Sequence, residues 1–179
     1  MVVFDASILI LLFDPDARPP ADRETGQPIA RCKERLEHLI AGFERAQTKV
    51  IIPTPVLSEV LIRAGEAGPA YLDELSGSAH FKIVPFDTRA AVELAELTRE
   101  ALDAGDKRNG SAAPWAKVKF DRQIVAMART EHAEVIYSDD DDIRRYAPRL
   151  GITVLGIAEL PLPPDDPQGN LPLDGKADE

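Results

Sequence analysis

Four short stretches carry acids in apolar surroundings. VVFDASILI sets Asp5 at the end of a β-branched and aromatic run, with Ser7 two residues on. IIPTPVLSEVL carries Glu59, KFDRQIVAMA carries Asp121, and VIYSDDDDI carries Ser138 and the run Asp139–Asp142. Carboxylates gathered at one place repel one another and rise in pKa. A hard divalent cation removes that conflict: Mg²⁺ takes oxygen ligands in octahedral geometry, usually a few carboxylates plus substrate phosphate, and Mn²⁺ accepts similar ones. The chemistry open to such a cluster is metal-assisted hydrolysis of a phosphodiester.

Each acid also has an ordinary structural role. Asp5 can cap a helix, Glu59 can pair with Arg63 one turn on, Asp121 can complement a helix dipole, and Asp139–Asp142 can form a solvated helix start. Ser7, Thr54 and Ser138 can be caps. The functional reading rests on the joint pattern, with Asp5, Glu59, Asp121 and Asp140 as catalytic candidates and Asp142 as an additional metal ligand. Ser7 and Ser138 are then hydroxyls that orient carboxylates. Around Asp121 lie Lys117, Lys119 and Arg122, with Lys107 and Arg108 in the preceding segment; these cations are candidates to meet substrate phosphates, their ordinary role being a solvated loop and helix surface. Trp115 is read as packing rather than as a base-stacking surface. His38, His80 and His132 have no ligand spacing.

Positioning these groups requires a particular order of elements. Val2 to Phe4 reads as a strand ending at Asp5, followed by a helix over SILILLF. Residues 14–28 are Pro-rich and charged, a long surface loop. A helix is expected from about Ile29 to Gln47, with Leu36, Leu39, Ile40 and Phe43 on one face. KVIIP is a second strand. The helix after it starts with Thr54 as cap and Pro55 at the first position, and ends at Gly65 or Gly68. A short helix near Tyr71 to Leu75 leads to the strand FKIVPF. Asp87 caps a long helix with Ala91, Leu94, Ala95 and Leu97 inward. A loop, the helix of Asp121, the strand AEVIYS, a short helix over DDDIRRYAPRL and the strand ITVLG complete the order. Strands alternating with helices predict an α/β domain with a mainly parallel sheet and helices on both faces. Ligands in such folds bind beyond the carboxyl ends of strands, at a switch in strand order. Asp5, Glu59, Asp121 and the aspartate run are four acid positions that such a sheet could gather at that rim.

The 179 residues, 44% hydrophobic, suit one domain with a real core. We divide the chain into a domain over residues 1–160 and a Pro/Asp-rich tail over 161–179. The single cysteine, Cys32, excludes an internal disulfide framework and suits a reducing cytoplasm. The greasy start lacks a basic leader region, holds Asp5 in its middle and falls short of a membrane span, so no membrane association is expected. A net charge of −10 argues at first against a nucleic-acid partner. It is unevenly spread, however: the tail contributes −4 and the seven candidate site acids −7, which leaves the remaining surface close to neutral.

Taken together, these stretches resemble the PIN-domain family, and within it the VapC-like toxin ribonucleases of prokaryotes. VVFDASILI resembles the family's opening strand, with Asp5 and Ser7 at its Asp-x-Ser/Asn positions. IIPTPVLSEVL resembles its second block, with Glu59 on the catalytic Glu. FDRQIVAMA resembles its Asp-x-x-Ile-x-Ala-x-Ala helix, with Asp121 on the third acid. VIYSDDDDI resembles its strand followed by Thr-x-Asp-x-Asp-Phe, which puts Ser138 on the Thr, Asp140 on the fourth acid and Asp142 on the next. Four consecutive aspartates leave the fourth position open among Asp139, Asp140 and Asp142. The resemblance spans about Met1 to Ile157. It implies a three-layer α/β/α sandwich, a Mg²⁺- or Mn²⁺-dependent endoribonuclease acting on single-stranded RNA, a homodimer, and a small antitoxin partner protein. The insert over residues 14–28 and the tail are longer than in compact toxins of the family. The alternative is a PIN-like module that binds metal or a partner without nuclease activity. A haloacid-dehalogenase-type phosphatase would want an Asp where Ser7 stands, and a receiver domain would want a mid-chain phospho-acceptor and a late strand-end Lys.

Overall fold

A computed structural model describes residues 1–164. The proposed tail therefore lies, beyond Pro164, outside the described residues. Five strands form one sheet: β1 (Val2–Phe4), β2 (Val50–Pro53), β3 (Phe81–Val84), β4 (Val135–Tyr137) and β5 (Thr153–Leu155). All neighbouring pairs are parallel, in the order β3-β2-β1-β4-β5. The central strands β1 and β2 are buried at every residue, as continuous apolar runs covered on both faces must be. The outer strands β3 and β5 alternate burial with exposure.

The helices are α1 (Ala6–Phe13), α2 (Cys32–Arg45), α3 (Thr54–Ala64), α4 (Gly68–Gly77), α5 (Thr88–Asp103), α6 (Trp115–Thr130) and α7 (Asp141–Tyr146). They flank the sheet. On one face Phe4, Phe43, Phe81 and Tyr137 make an aromatic cluster with centroids 5.4–6.4 Å apart, which seats α2 against the strands.

The departures from the sequence reading are local. The second helix begins at Cys32, after Arg31 in the left-handed region, and not at Ile29. The fourth helix is a full ten residues. In α5, Asp87 caps as expected by accepting from Ala90 N, but the buried stripe is Ala90, Leu97 and Ala101, while Ala91 and Ala95 face solvent. Thr54 does not cap α3; Pro53 holds that position, and the Thr54 hydroxyl accepts from Phe86 N at 3.0 Å, tying the end of β2 to the segment after β3.

The strand order fixes where a ligand can go. Going from β1 to β2 to β3 the chain steps in one direction, and going to β4 and β5 it steps in the other. The reversal falls between β1 and β4. Asp5 follows β1 and Ser138–Asp140 follow β4, and Asp5 N donates to Tyr137 O at 3.1 Å across that junction. These residues thus stand at the topological switch point.

Candidate metal centre

Asp5 caps α1 and also lines a groove between α1, α3 and α6. Its Oδ1 accepts from Ala6 N at 2.7 Å at the start of α1. Its Oδ2 accepts from Ser138 Oγ at 2.8 Å and Ser7 Oγ at 3.2 Å. Burial pushes its pKa up; the Ser138, Ala6 and Ser7 hydrogen bonds oppose this and nearby Asp140 adds to it. Ser138 also accepts from Asp140 N at 3.0 Å, so one buried hydroxyl sets the spacing between the ends of β1 and β4.

Asp140 caps α7. Its Oδ1 accepts from Asp142 N at 2.8 Å and Ile143 N at 3.1 Å, which leaves Oδ2 aimed into the groove. Burial raises its pKa, but hydrogen bonds from Lys117 and the helix amides outweigh that and the net displacement is downward. Asp121 sits in the second turn of α6 and is 8% exposed. Burial, assisted by Asp140 and Asp5, pushes its pKa up to about 6, against the pull of Lys117. Lys117 Nζ donates to Asp121 Oδ2 at 2.8 Å and to Asp140 Oδ2 at 2.6 Å. The lysine is held firmly charged by this pairing although burial works against it. The two partners of one ion pair therefore move in the same direction, because a single ammonium is shared among acids that also repel each other and Asp121 is the more deeply enclosed.

Asp142 completes the cluster. Its Oδ2 accepts from Ser111 Oγ at 2.7 Å and its Oδ1 from Arg145 Nη1 at 2.9 Å. Asp121, Asp140 and Asp142 each offer one oxygen within 4.8 Å of the others'. Asp139 turns elsewhere: its Oδ1 accepts from Ile157 N at 3.1 Å. Asp141, the remaining member of the run, ion-pairs with Arg23 of the 14–28 insert, and Arg23 also donates to Asp139 O at 2.7 Å. The insert is thus latched to the loop that carries Asp140.

Asp5, Asp121, Asp139 and Asp140 line this groove of about 680 Å³, and Asp142 lines a separate small cavity with Ser111 and Arg145. Ile10, Ile62 and Phe120 supply the groove's apolar walls and Arg63 a cation. Glu59 stands on the groove's α3 side, exposed, with no hydrogen bond or ion pair to the described residues, and it is outside the three-carboxylate group.

The sequence-selected cations separate. Lys117 is in the groove and Lys119 is exposed on α6. Arg122 is not at the rim where it was expected: it is 2% exposed, with its guanidinium carbon 5.4 Å from the ring centroids of both Trp115 and Tyr146. Lys107 lies over the same Trp115 ring at 5.5 Å. The Arg23 latch and the Ser111–Asp142 bond were not foreseen, since long-range contacts from loops leave no periodic signal. The Lys117–Asp121 bond was legible as an i,i+4 pair.

Oxygen donors alone surround the cluster's centre, and a protein cation already bridges two of them; the site fits a hard divalent ion.

A family model described as PIN domain matches residues 2–148. No curated protein sequence matches the chain. Among solved structures, the chain is similar to VapBC2 from Rickettsia felis bound to a promoter DNA fragment, with TM-score 0.59, 13% identity, and coverage of 87% of this chain and 98% of that one. It is also similar to Mycobacterium tuberculosis VapC20, a Sarcin-Ricin loop cleaving toxin, with TM-score 0.55, 16% identity, and coverage of 90% and 100%. DNA-bound VapBC from Salmonella typhimurium gives TM-score 0.52, 16% identity, and coverage of 87% and 97%. At such identities these likenesses speak to the fold.

Proposed function

The chain belongs to the PIN-domain family, and from that premise we propose that it is a Mg²⁺- or Mn²⁺-dependent endoribonuclease that hydrolyses phosphodiester bonds of single-stranded RNA, with residues 1–160 as the nuclease unit. The observation that carries this reading is the meeting of Asp121, Asp140 and Asp142 oxygens within 4.8 Å, with Asp121 and Asp140 lining a groove at the switch point. These three would hold the ion, with Asp5 beside them and Glu59 reaching in from α3. When bound, the ion supplies positive charge that offsets the carboxylates and makes an attacking water more acidic.

The rest falls to the chain itself. Ser138 and Ser7 fix the rotamer of Asp5, and the α7 amides fix that of Asp140. Ile10, Ile62 and Phe120 offer unstacked bases an apolar surface, the mode by which single-stranded RNA is usually recognised. Lys117 and Lys119 supply charge for the backbone. Arg122 is withdrawn from that role by its burial.

The VapBC likenesses support a toxin restrained by an antitoxin protein; action in the cytoplasm and a homodimer belong to the same proposal. No helix among the described residues is long and apolar enough to cross a membrane.

The deciding measurement incubates the purified protein with single-stranded RNA and the matching DNA in Mg²⁺, Mn²⁺ or EDTA. Cleavage of RNA is expected only with a divalent ion. Asp121→Asn, which keeps the shape of the side chain, is expected to lower the rate by about a thousandfold or more while the protein stays folded. Equal cleavage by parent and variant sinks the assignment. Metal binding with intact RNA points to the non-catalytic module instead.

A further inference from the structure

Among the described residues Lys117 is the cation that bridges two acids of the cluster, while Arg145 meets only the third, at Asp142 Oδ1. The lysine Nζ spans two of the three converging carboxylates, at 2.8 Å from Asp121 Oδ2 and 2.6 Å from Asp140 Oδ2. A divalent ion held by these carboxylates would sit within a few ångströms of the ammonium, so the two cations repel one another and compete for the same negative charge. The lysine is free to leave. Its side chain is 44% exposed and lines the groove, and a flexible four-carbon stem lets the charge move while α6 stays in place.

We propose that Lys117 is a tethered cation with two stations: on Asp121 and Asp140 when no divalent ion is bound, and on a phosphate oxygen of the RNA strand once an ion has taken those oxygens. The proposal rests on the metal-dependent nuclease reading above and assigns the lysine a regulatory and substrate-binding part in it. In the first station it neutralises acids that would otherwise repel each other, so the ion-free protein keeps its fold. It also competes with the ion, because only the fraction of molecules with the lysine withdrawn can bind metal, and apparent affinity falls by that fraction. In the second station the positive charge released by ion binding becomes available to substrate. Ion and RNA then favour each other's binding, and by linkage the coupling must run equally in both directions.

The test uses the full chain and the variants Lys117→Met, which keeps a stem of similar length without charge, and Lys117→Arg. Calorimetric titration with Mn²⁺ should show Lys117→Met binding about five- to tenfold more tightly than the parent, the competing cation being gone. Its thermal midpoint in EDTA should fall below the parent's, and added Mn²⁺ should raise it by more than it raises the parent's. With Mn²⁺ saturating, its KM for RNA should rise several-fold with a smaller change in kcat, and Lys117→Arg should return both readouts towards the parent. Unchanged or weaker Mn²⁺ affinity in Lys117→Met overturns the proposal. Tighter Mn²⁺ binding with an unchanged KM overturns the second station. Asp121→Asn separates the two levels: if it keeps the parent's Mn²⁺ affinity, the metal site itself is wrong, whatever Lys117→Met does.

Discussion

A carboxylate that is 8% exposed, with two other acids nearby, must hold either a proton or a cation. Asp121 is in that position: burial first, then Asp140 and Asp5, take its pKa up to about 6. In the unfolded chain it releases its proton near 4. Between those values the folded state binds more protons than the unfolded one, so in EDTA the stability of the protein should fall as pH rises from about 4 to about 6. Asp121→Asn should flatten that fall, and urea midpoints across the range will show whether it does. Cation binding has the opposite preference, because a protonated Asp121 is a poor ligand. Mn²⁺ affinity should be about tenfold weaker at pH 5 than at pH 7. Arg122 poses a different question. Its guanidinium lies between Trp115 and Tyr146, its Nη2 donates to Lys107 O at 2.6 Å, and its Nε and Nη1 find no hydrogen-bond partner among the described residues. Most of its contribution is then packing by the stem and plane. Arg122→Ala should cost about 2–4 kcal/mol, whereas Arg122→Met should stay within about 1–2 kcal/mol of the parent, as read by chemical denaturation. A similar loss in both would mean that the charge matters more than the packing. The sequence reading misjudged this residue by taking charge as a sign of exposure. It placed Asp5 and Asp140 at strand ends, where the structure has them, and Asp121 at the opening of its helix, whereas α6 begins six residues earlier at Trp115 and carries Asp121 in its second turn.

At the scale of elements, the alternation of strands and helices was plain in the sequence, since buried parallel strands such as VVF and VIIP have no polar residue to confuse them. The phase of α5 was not. Alanines occur on both of its faces, at Ala90, Ala91, Ala95 and Ala101, and a small side chain does not say which face is covered. Nor could local pattern reveal that the 14–28 insert reaches back through Arg23 to the loop between β4 and α7. That loop is braced on its other side by Gly156. A Cβ there would run into Asp139 Oδ1, and would lie 2.8 Å from Arg144 Nη2. The aspartate has little freedom to yield, because it also accepts from Ile157 N. Gly156→Ala should therefore destabilise the protein by about 1–3 kcal/mol. Since Asp139 adjoins Asp140, the same change should weaken Mn²⁺ binding by more than a remote substitution of equal cost. Thermal melts and metal titration on one preparation would separate the two effects, and a fully stable variant would show that the loop can give way.

For the molecule as a whole, the difficulty is electrostatic. An RNA strand is a polyanion, and this chain carries a net charge of −10. The acids of the cluster are offset locally by Lys117, and on the present reading by a divalent ion. Residues 165–179 hold five acids and one lysine, a net of −4, and their charge adds to the long-range field that a polyanionic substrate meets. Ending the chain after Pro164 should therefore lower KM for RNA by roughly two- to threefold at low salt, with kcat unchanged because every described residue that lines the groove is kept. The advantage should shrink as salt is added and be gone near 0.5 M, where the Debye length is about 4 Å. The salt dependence is what makes the experiment decisive. A gain that persists at high salt would mean that the segment obstructs the groove sterically, and no gain at low salt would mean that its charge lies too far from the substrate's path to be felt.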